Sequence, residues 1–353
     1  MGTAAAKPPA DPLQRQVDAV HDTGAVGVAA EVTSPHTRDV ARAGTAERGT
    51  RKQMPRNGRF RIGSATKTFT ATVELQLVAE GRMSLEDTVE RWLPGVVHNN
   101  GNDGNRITVR QLLQHTSGIQ DTGPAIPALT SEDGYRAERF RTYTIDELVR
   151  LALQPSPTVA ADEEHWAYAN TNYLLAALIT QKVTGRSWAQ EVTDRIIRPL
   201  GLQDTSTPGS FPFITGPHAH GYAFDTATDV TVLNASMAVG SGSIISTAHD
   251  MNRFYAALLG GRLLPPAQLD AMTTTVNAPE LGIRYGLGLA EIGLSCGGSY
   301  FGHRGELLGY ITWGGATRDG TRTAVVYVSN DGGEGTEQAM TKLMDQELCR
   351  TRP

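Results

Sequence analysis

The apolar positions change period along the chain. Residues 13–23 read as a short helix, and 25–32 and 39–44 as strands. Residues 59–62 form an extended entry to a helix over 65–80. There Phe69, Val73, Leu75, Leu77 and Val78 are too apolar for a solvent-facing helix and predict a central one. A turn at 81–87 leads into another helix, closed by Pro94-Gly95. From 108 to about 210 the pattern is helical and rich in loops. Thr108 opens one helix, Thr144 opens a second with Glu147 completing a capping box, and 172–183 is a strongly apolar third that ends at Gly185. Proline-rich 208–217 marks a return. After it, 285–289, 298–303, 310–316 and 323–330 predict short strands with a turn at Asp319-Gly320, and 336–349 a closing helix.

Strands near both ends with helices between them predict an α+β fold, one sheet built from the two chain ends with a mainly helical lobe inserted. The expected division is a flexible leader at 1–12, a sheet domain from 13–80 and 235–353, and the helical lobe at 81–234. A chain of 353 residues, 39% hydrophobic and 20% charged, can bury a core of that size. Its net charge of -5 supplies no basic field for nucleic acid or anionic lipid. The longest apolar run, 173–179, is far too short for a membrane span, and the small-residue, proline-rich leader carries no hydrophobic signal segment. Cys296 and Cys349 are compatible with two buried thiols or with one bridge between a late strand and the last helix.

Chemistry concentrates in three places. Ser64 and Lys67 stand at the start of the central helix, one turn apart on one face, so an amine lies within reach of a hydroxyl at the positive end of the helix dipole. A buried lysine with a lowered pKa can take the serine proton. Tyr168 and Asn170 follow before the apolar helix. In an extended loop they point the same way, a phenol able to relay protons and an amide able to grip a carbonyl. The third is Gly302-His303-Arg304-Gly305-Glu306 on a predicted strand, where glycine lets a substrate backbone approach the edge and His303 can face the cleft as a positive or hydrogen-bonding group. Each has a plain structural reading when alone: a capped helix with a solvated lysine, a packing aromatic before a helix cap, a satisfied strand histidine. His218-x-His220 reads as a turn rather than a metal site, and the Glu132-Asp133 and Glu163-Glu164 pairs as solvated faces.

Taken in order, Ser-x-x-Lys, Tyr-x-Asn and His-x-Gly, about 100 and 135 residues apart, resemble the penicillin-recognising serine enzymes, the β-lactamase/transpeptidase-like DD-peptidase and class C branch. The likeness extends through 60–94, 107–118, 168–185, 217–222 and 285 to the C-terminus. It is nearest to secreted D-alanyl-D-alanine carboxypeptidases, which carry paired cysteines at the positions of Cys296 and Cys349. The resemblance implies an antiparallel sheet flanked by helices, an acyl-enzyme on Ser64, and proton traffic shared by Lys67 and Tyr168. It further implies substrate binding by Asn170, His303, Arg304, Gly305 and Glu306, with the Ser64 and Glu306 backbone N–H groups as oxyanion hole. No metal or organic cofactor is implied. The expected partners are a small peptide or ester, with the peptidoglycan stem peptide as a candidate and β-lactams as inhibitors; the expected location is extracellular, with Cys296 and Cys349 bridged.

Four sites depart from the family pattern: Arg304 and Glu306 replace small residues, Ala290 stands where carboxypeptidases tend to have an arginine, and 162–165 replaces a Pro-Gly. Arg304 either binds a substrate carboxylate itself or pairs with Glu306 and narrows the cleft. The leading expectation is a D-alanyl-D-alanine carboxypeptidase. Its rivals are an esterase, D-aminopeptidase, β-lactamase or peptide-cyclising acyltransferase on the same scaffold, or a penicillin sensor without turnover.

Overall fold

The computed structural model describes residues 11–99, 102–153, 166–330 and 332–350. Most of the leader, and residues 162–165 with the Glu163-Glu164 pair, lie outside them.

Helix α1 (Pro12–His21) is capped by Asp11 and precedes strands β1 (Gly27–Thr33) and β2 (Arg38–Gly44). The remaining strands of the main sheet come late: β3 (Val276–Ala278), β4 (Ile283–Tyr285), β5 (Ala290–Gly293), β6 (Ser299–Glu306), β7 (Ile311–Thr317) and β8 (Thr323–Val328). They form one eight-stranded sheet in the order β2-β1-β8-β7-β6-β5-β4-β3, antiparallel throughout. The first and last strands of the chain therefore pair, second and third from one edge of the sheet, Val28 opposite Val328 and Thr33 opposite Thr323.

Both faces of this sheet are covered, which explains why β8 reads as a continuous apolar run instead of an alternating one. Ala324, Val326 and Val328 face α1 and the last helix, α5 (Glu334–Cys349), packing on Leu13, Val17, Met340 and Leu343. Val325 and Tyr327 face the larger core, shared with helices α2 (Thr66–Ala79), α3 (Asn170–Thr184) and α4 (Ala248–Leu259). Helix α2 runs through that core. Every residue from Thr66 to Leu75 is buried, and Phe69 stacks on Phe254 with ring centroids 3.7 Å apart. The capping boxes at Thr108 and Thr144 form, and α3 ends on Gly185 in the left-handed region (φ 73).

The strand expected over 285–289 is instead a turn between two strands. Gly-Leu-Gly-Leu imitates a period of two, but Gly288 takes φ +76 and Gly286 N–H closes on Leu289 O at 2.8 Å. A Cβ on Gly288 would meet Ala71 Cβ at 2.5 Å, so the turn sits directly on the nucleophile helix, where Thr68 Oγ1 donates to Gly288 O. Glu132 also departs from expectation. It accepts hydrogen bonds from Thr226 and Thr228 and pairs with Arg136, holding a turn beside the cleft rather than lying on a solvated face.

Candidate active site

Ser64 lies in a short 3₁₀ turn, Gly63–Ala65, that runs directly into α2, so its hydroxyl stands at the N-terminal end of the buried helix with Lys67 one turn on. The turn is pressed against β6. A Cβ on Gly63, whose φ is +50, would come within 2.5 Å of Glu306 N, and one on Gly305 within 1.9 Å of Ile62 O. The obstacle in both cases is main chain, so only glycine lets turn and strand touch. Strand β5 pairs with β6 only as far as Gly302, leaving the following residues an open edge. Leu307 N–H bonds to Tyr310 O across the hairpin, and alternation along β6 sends the Glu306 N–H the opposite way, to that open edge beside Gly63.

Lys67 is fully buried. Its Nζ lies 3.0 Å from Ser64 Oγ, 2.7 Å from Asn170 Oδ1, 3.1 Å from Ser241 O, and 4.7 Å from the Tyr168 ring centroid. Burial pushes the ammonium down to about 7, and the charge of Asp121 opposes part of that fall. Tyr168, hydrogen-bonded to Ser64, moves the other way: desolvation raises its phenol well above the ordinary value. At neutral pH the amine is thus partly free base while the phenol keeps its proton. These shifts suit Lys67 to proton abstraction and Tyr168 to proton donation, roles between which the motifs alone do not choose.

His303 is buried on β6. Its Nδ1 faces the Arg304 carbonyl, which can only accept, so the Nδ1–H donates there and Nε2 accepts from the Tyr285 hydroxyl at 2.8 Å. Burial, reinforced by Lys67, pushes its pKa down to about 3. Of the two roles open to His303, positive or hydrogen-bonding, the structure favours the second: the ring is neutral and acts through hydrogen bonds.

Arg304 is occupied by carboxylates. Its Nη2 reaches Glu306 Oε2 at 2.7 Å, its Nε reaches Glu337 Oε1 at 2.9 Å, and Trp313 Nε1 holds the other Glu337 oxygen at 2.8 Å. Of the two alternatives for this residue, the geometry is that of pairing with Glu306, with Glu337 of α5 as a further partner.

Two supports had no motif to announce them. Asp121 Oδ1 accepts the Asn170 N–H at 2.7 Å and Oδ2 lies 3.3 Å from Asn170 Nδ2, which turns the amide oxygen toward Lys67. His115, in the left-handed region (φ 63), places its ring 4.3 Å from that of Tyr168. Its carbonyl accepts from Ala167 N and its Nδ1 from Ala169 N, so the loop bearing Tyr168 hangs on this one residue. Ser117 Oγ bonds to Asn172 Oδ1 at 2.6 Å beneath it. The stretch 107–118 already resembled the family; a partner 49 residues away, such as Asn170 for Asp121, has no local signature.

These groups open into a cavity of about 720 Å³, walled by Leu129, Phe224, Leu281, Ile283 and Trp313, with Asp121 and Glu306 in its polar lining. Phe224 holds a left-handed backbone (φ 64), a conformation that costs a non-glycine residue about 1–2 kcal/mol.

Comparison with known proteins agrees with this geometry. The family model described as Beta-lactamase matches residues 13–348. Penicillin-binding protein 4* of Bacillus subtilis (strain 168) is 27% identical over 320 residues, 86% of this chain and 68% of that protein. A solved D-stereospecific amidohydrolase from Streptomyces sp. superposes with a TM-score of 0.88 at 40% identity, covering 96% of this chain and 98% of that one. A D-amino acid amidase from Ochrobactrum anthropi SV3, complexed with L-phenylalanine amide, shares the fold with a TM-score of 0.82 at 24% identity, over 94% and 96% of the two chains.

Proposed function

The chain belongs to the Beta-lactamase family, and from that premise we propose that this serine hydrolase is an amidohydrolase acting on D-configured aminoacyl amides and short peptides. Neutral Lys67 removes the Ser64 proton, Oγ attacks the amide carbonyl, and the Ser64 and Glu306 N–H groups receive the developing oxyanion. Tyr168 passes a proton to the leaving nitrogen as the C–N bond breaks and regains one from the Lys67 ammonium, leaving an ester on Ser64 and Lys67 again a neutral amine. Water, activated by the same amine, then releases the carboxylic acid. Asn170 orients Lys67 and offers its amide to the substrate.

The observation that carries the choice of substrate is Arg304. A carboxypeptidase needs a cation for the terminal carboxylate, and this guanidinium is shared by Glu306 and Glu337. Asp121 and Glu306 against Arg304 leave the charged side chains of the cavity lining net negative, which suits an ammonium better than an anion. The likeness to the Streptomyces amidohydrolase supports the same reading. The competing reading, a D-alanyl-D-alanine carboxypeptidase, draws on the Bacillus penicillin-binding relative and requires Arg304 to leave both carboxylates. An extracellular location is part of the proposal, supported by the Cys296–Cys349 disulfide, since such bonds persist in oxidising compartments.

The test is a panel of D-phenylalanine p-nitroanilide, its L-enantiomer, a D-Ala-D-Ala-ended peptide and a chromogenic cephalosporin, with Ser64→Ala as control. The reading predicts turnover of the D-anilide over the rest. Faster release of terminal D-alanine than of nitroaniline would return the carboxypeptidase to first place.

A further inference from the structure

We propose that Glu337, on the last helix and outside the cavity, is a specificity-determining residue: by holding the Arg304 guanidinium it denies a free carboxylate on the leaving group the cation that would bind it. This rests on the amidohydrolase reading above and names the side chain that separates that activity from a carboxypeptidase.

Arg304, Glu306 and Trp313 line the cavity with Ser64, whereas Glu337 stands behind them. Arg304 and Trp313 are direct cross-strand partners on β6 and β7, so their side chains leave the sheet on the same face, the one covered by α5. Glu337 sits in the first turn of that helix, where the dipole favours a carboxylate. Its Oε1 accepts from Arg304 Nε at 2.9 Å and from Nη2, and its Oε2 accepts from Trp313 Nε1 at 2.8 Å. Three donors from two strands therefore fix this carboxylate, and the Nε–Nη2 edge of the guanidinium, which could otherwise take a substrate carboxylate bidentately, is spent on it. The contrast with Glu306 decides between the two acids. That side chain is 47% exposed and meets Arg304 through Nη2 alone, at 2.7 Å, whereas Glu337 is 25% exposed. An ion pair so open to water is worth little and yields to a competing anion, but an enclosed carboxylate with three donors does not. Burial works against the Arg304 charge, and the hydrogen bond to Glu337 is the foremost of the influences that keep its pKa above the ordinary value. A substrate carboxylate can thus displace Glu306, but Glu337 still holds the cation.

The experiment compares kcat/KM for D-phenylalanyl-D-alanine with that for D-phenylalanyl-D-alaninamide, which differ only in the charge at the end of the leaving group. The native protein should prefer the amide. Glu337→Gln should raise the carboxylate-to-amide ratio by roughly 10- to 100-fold, the discrimination that a hydrogen-bonded charge supplies. The same exchange in an Arg304→Ala background should leave the ratio unmoved, because the effect passes through the guanidinium. Glu306→Gln, which removes an equal charge from the cavity lining, should raise the ratio less. Glu337→Asp, which keeps the charge but draws it back by one methylene, is the second variant and should shift the ratio in the same direction. Because each ratio is taken within one preparation, a partly misfolded variant does not distort it. An unchanged ratio in whichever Glu337 variant folds overturns the proposal. So does a rise that persists without Arg304, which would be a field effect of the lost charge, or a larger rise in Glu306→Gln. If the native enzyme already cleaves the carboxylate-ended dipeptide faster, the amidohydrolase reading itself has failed; a native preference for the amide that ignores Glu337 leaves that reading standing and removes only this one.

Discussion

Lowering the pH from 8 to 5 should slow acylation of Ser64 roughly 90-fold, the factor by which an amine with a pKa near 7 loses its neutral form over that interval. The perturbation acts on Lys67, fully buried between α2, the Tyr168 ring and Asn170. Moving an ammonium from 10.5 to about 7 corresponds to about 5 kcal/mol in favour of the neutral amine. At pH 7 that makes half of the lysine free base, more than a thousandfold above the fraction in an exposed side chain. The sign follows from the role: the base works deprotonated, so the rate rises with pH and levels off above 7. Single-turnover acylation by a chromogenic ester of fixed charge measures it directly. Asp121→Asn removes a negative charge that favours the ammonium, so the rising limb should move to lower pH. Tyr168→Phe should lower the plateau without moving the limb, because the phenol donates and does not titrate in this range. A profile flat from pH 5 to 9, or a limb centred near 10, would refute the assignment of Lys67 as base.

Glu74, buried in α2 against Thr180 with its pKa pushed up to about 8, makes the fold sensitive to pH. Between 4.5 and 8 the folded chain keeps a proton that the unfolded chain has released, so stability falls as pH rises through that window. Glu74→Gln should abolish the fall, with a gain on the order of a few kcal/mol at pH 9 and little change at pH 4.5, read by urea unfolding. The bridge between Cys296 and Cys349 closes a loop of 53 residues, worth about 4 kcal/mol by chain entropy; thiol titration of unreduced protein should find no free cysteine, and reduction should lower the unfolding midpoint. Arg304→Ala should depress kcat/KM for carboxylate-ended peptides and neutral esters alike, since it strips Glu306 and Glu337 of their shared cation. A loss confined to the peptides would restore Arg304 as a carboxylate anchor.

The Ser64–Lys67 pairing was legible because both are held by a local element: helical spacing alone puts them one turn apart, and the apolar run after them says that the helix is buried. The sheet's composition from both chain ends was legible for a similar reason, since strands announce themselves by short apolar runs between turns. What escaped depends on long-range approach or on backbone conformation. Nothing in the sequence ties Asp121 to Asn170 or His115 to the Tyr168 loop. Gly286 and Gly288 kept the period of a strand while their dihedrals made a turn. The charge of His303 stayed open because a residue's type does not reveal its burial, and burial here favours the neutral ring. Arg304 was open between two roles until Glu337, on the far end of the sequence, appeared beside it.

The glycines at 63 and 305 also constrain how this enzyme can diversify. A side chain blocked by another side chain can be rescued by trimming its neighbour, but at these two positions the neighbour is peptide backbone, and no second-site exchange can trim it. Libraries that randomise the cavity wall at Leu129, Leu281 or Trp313 have room to find new specificities. Libraries that include the two glycines mostly sample chains whose serine has been levered away from its oxyanion donors, so new activities on this scaffold should arise through the wall while the seam stays fixed.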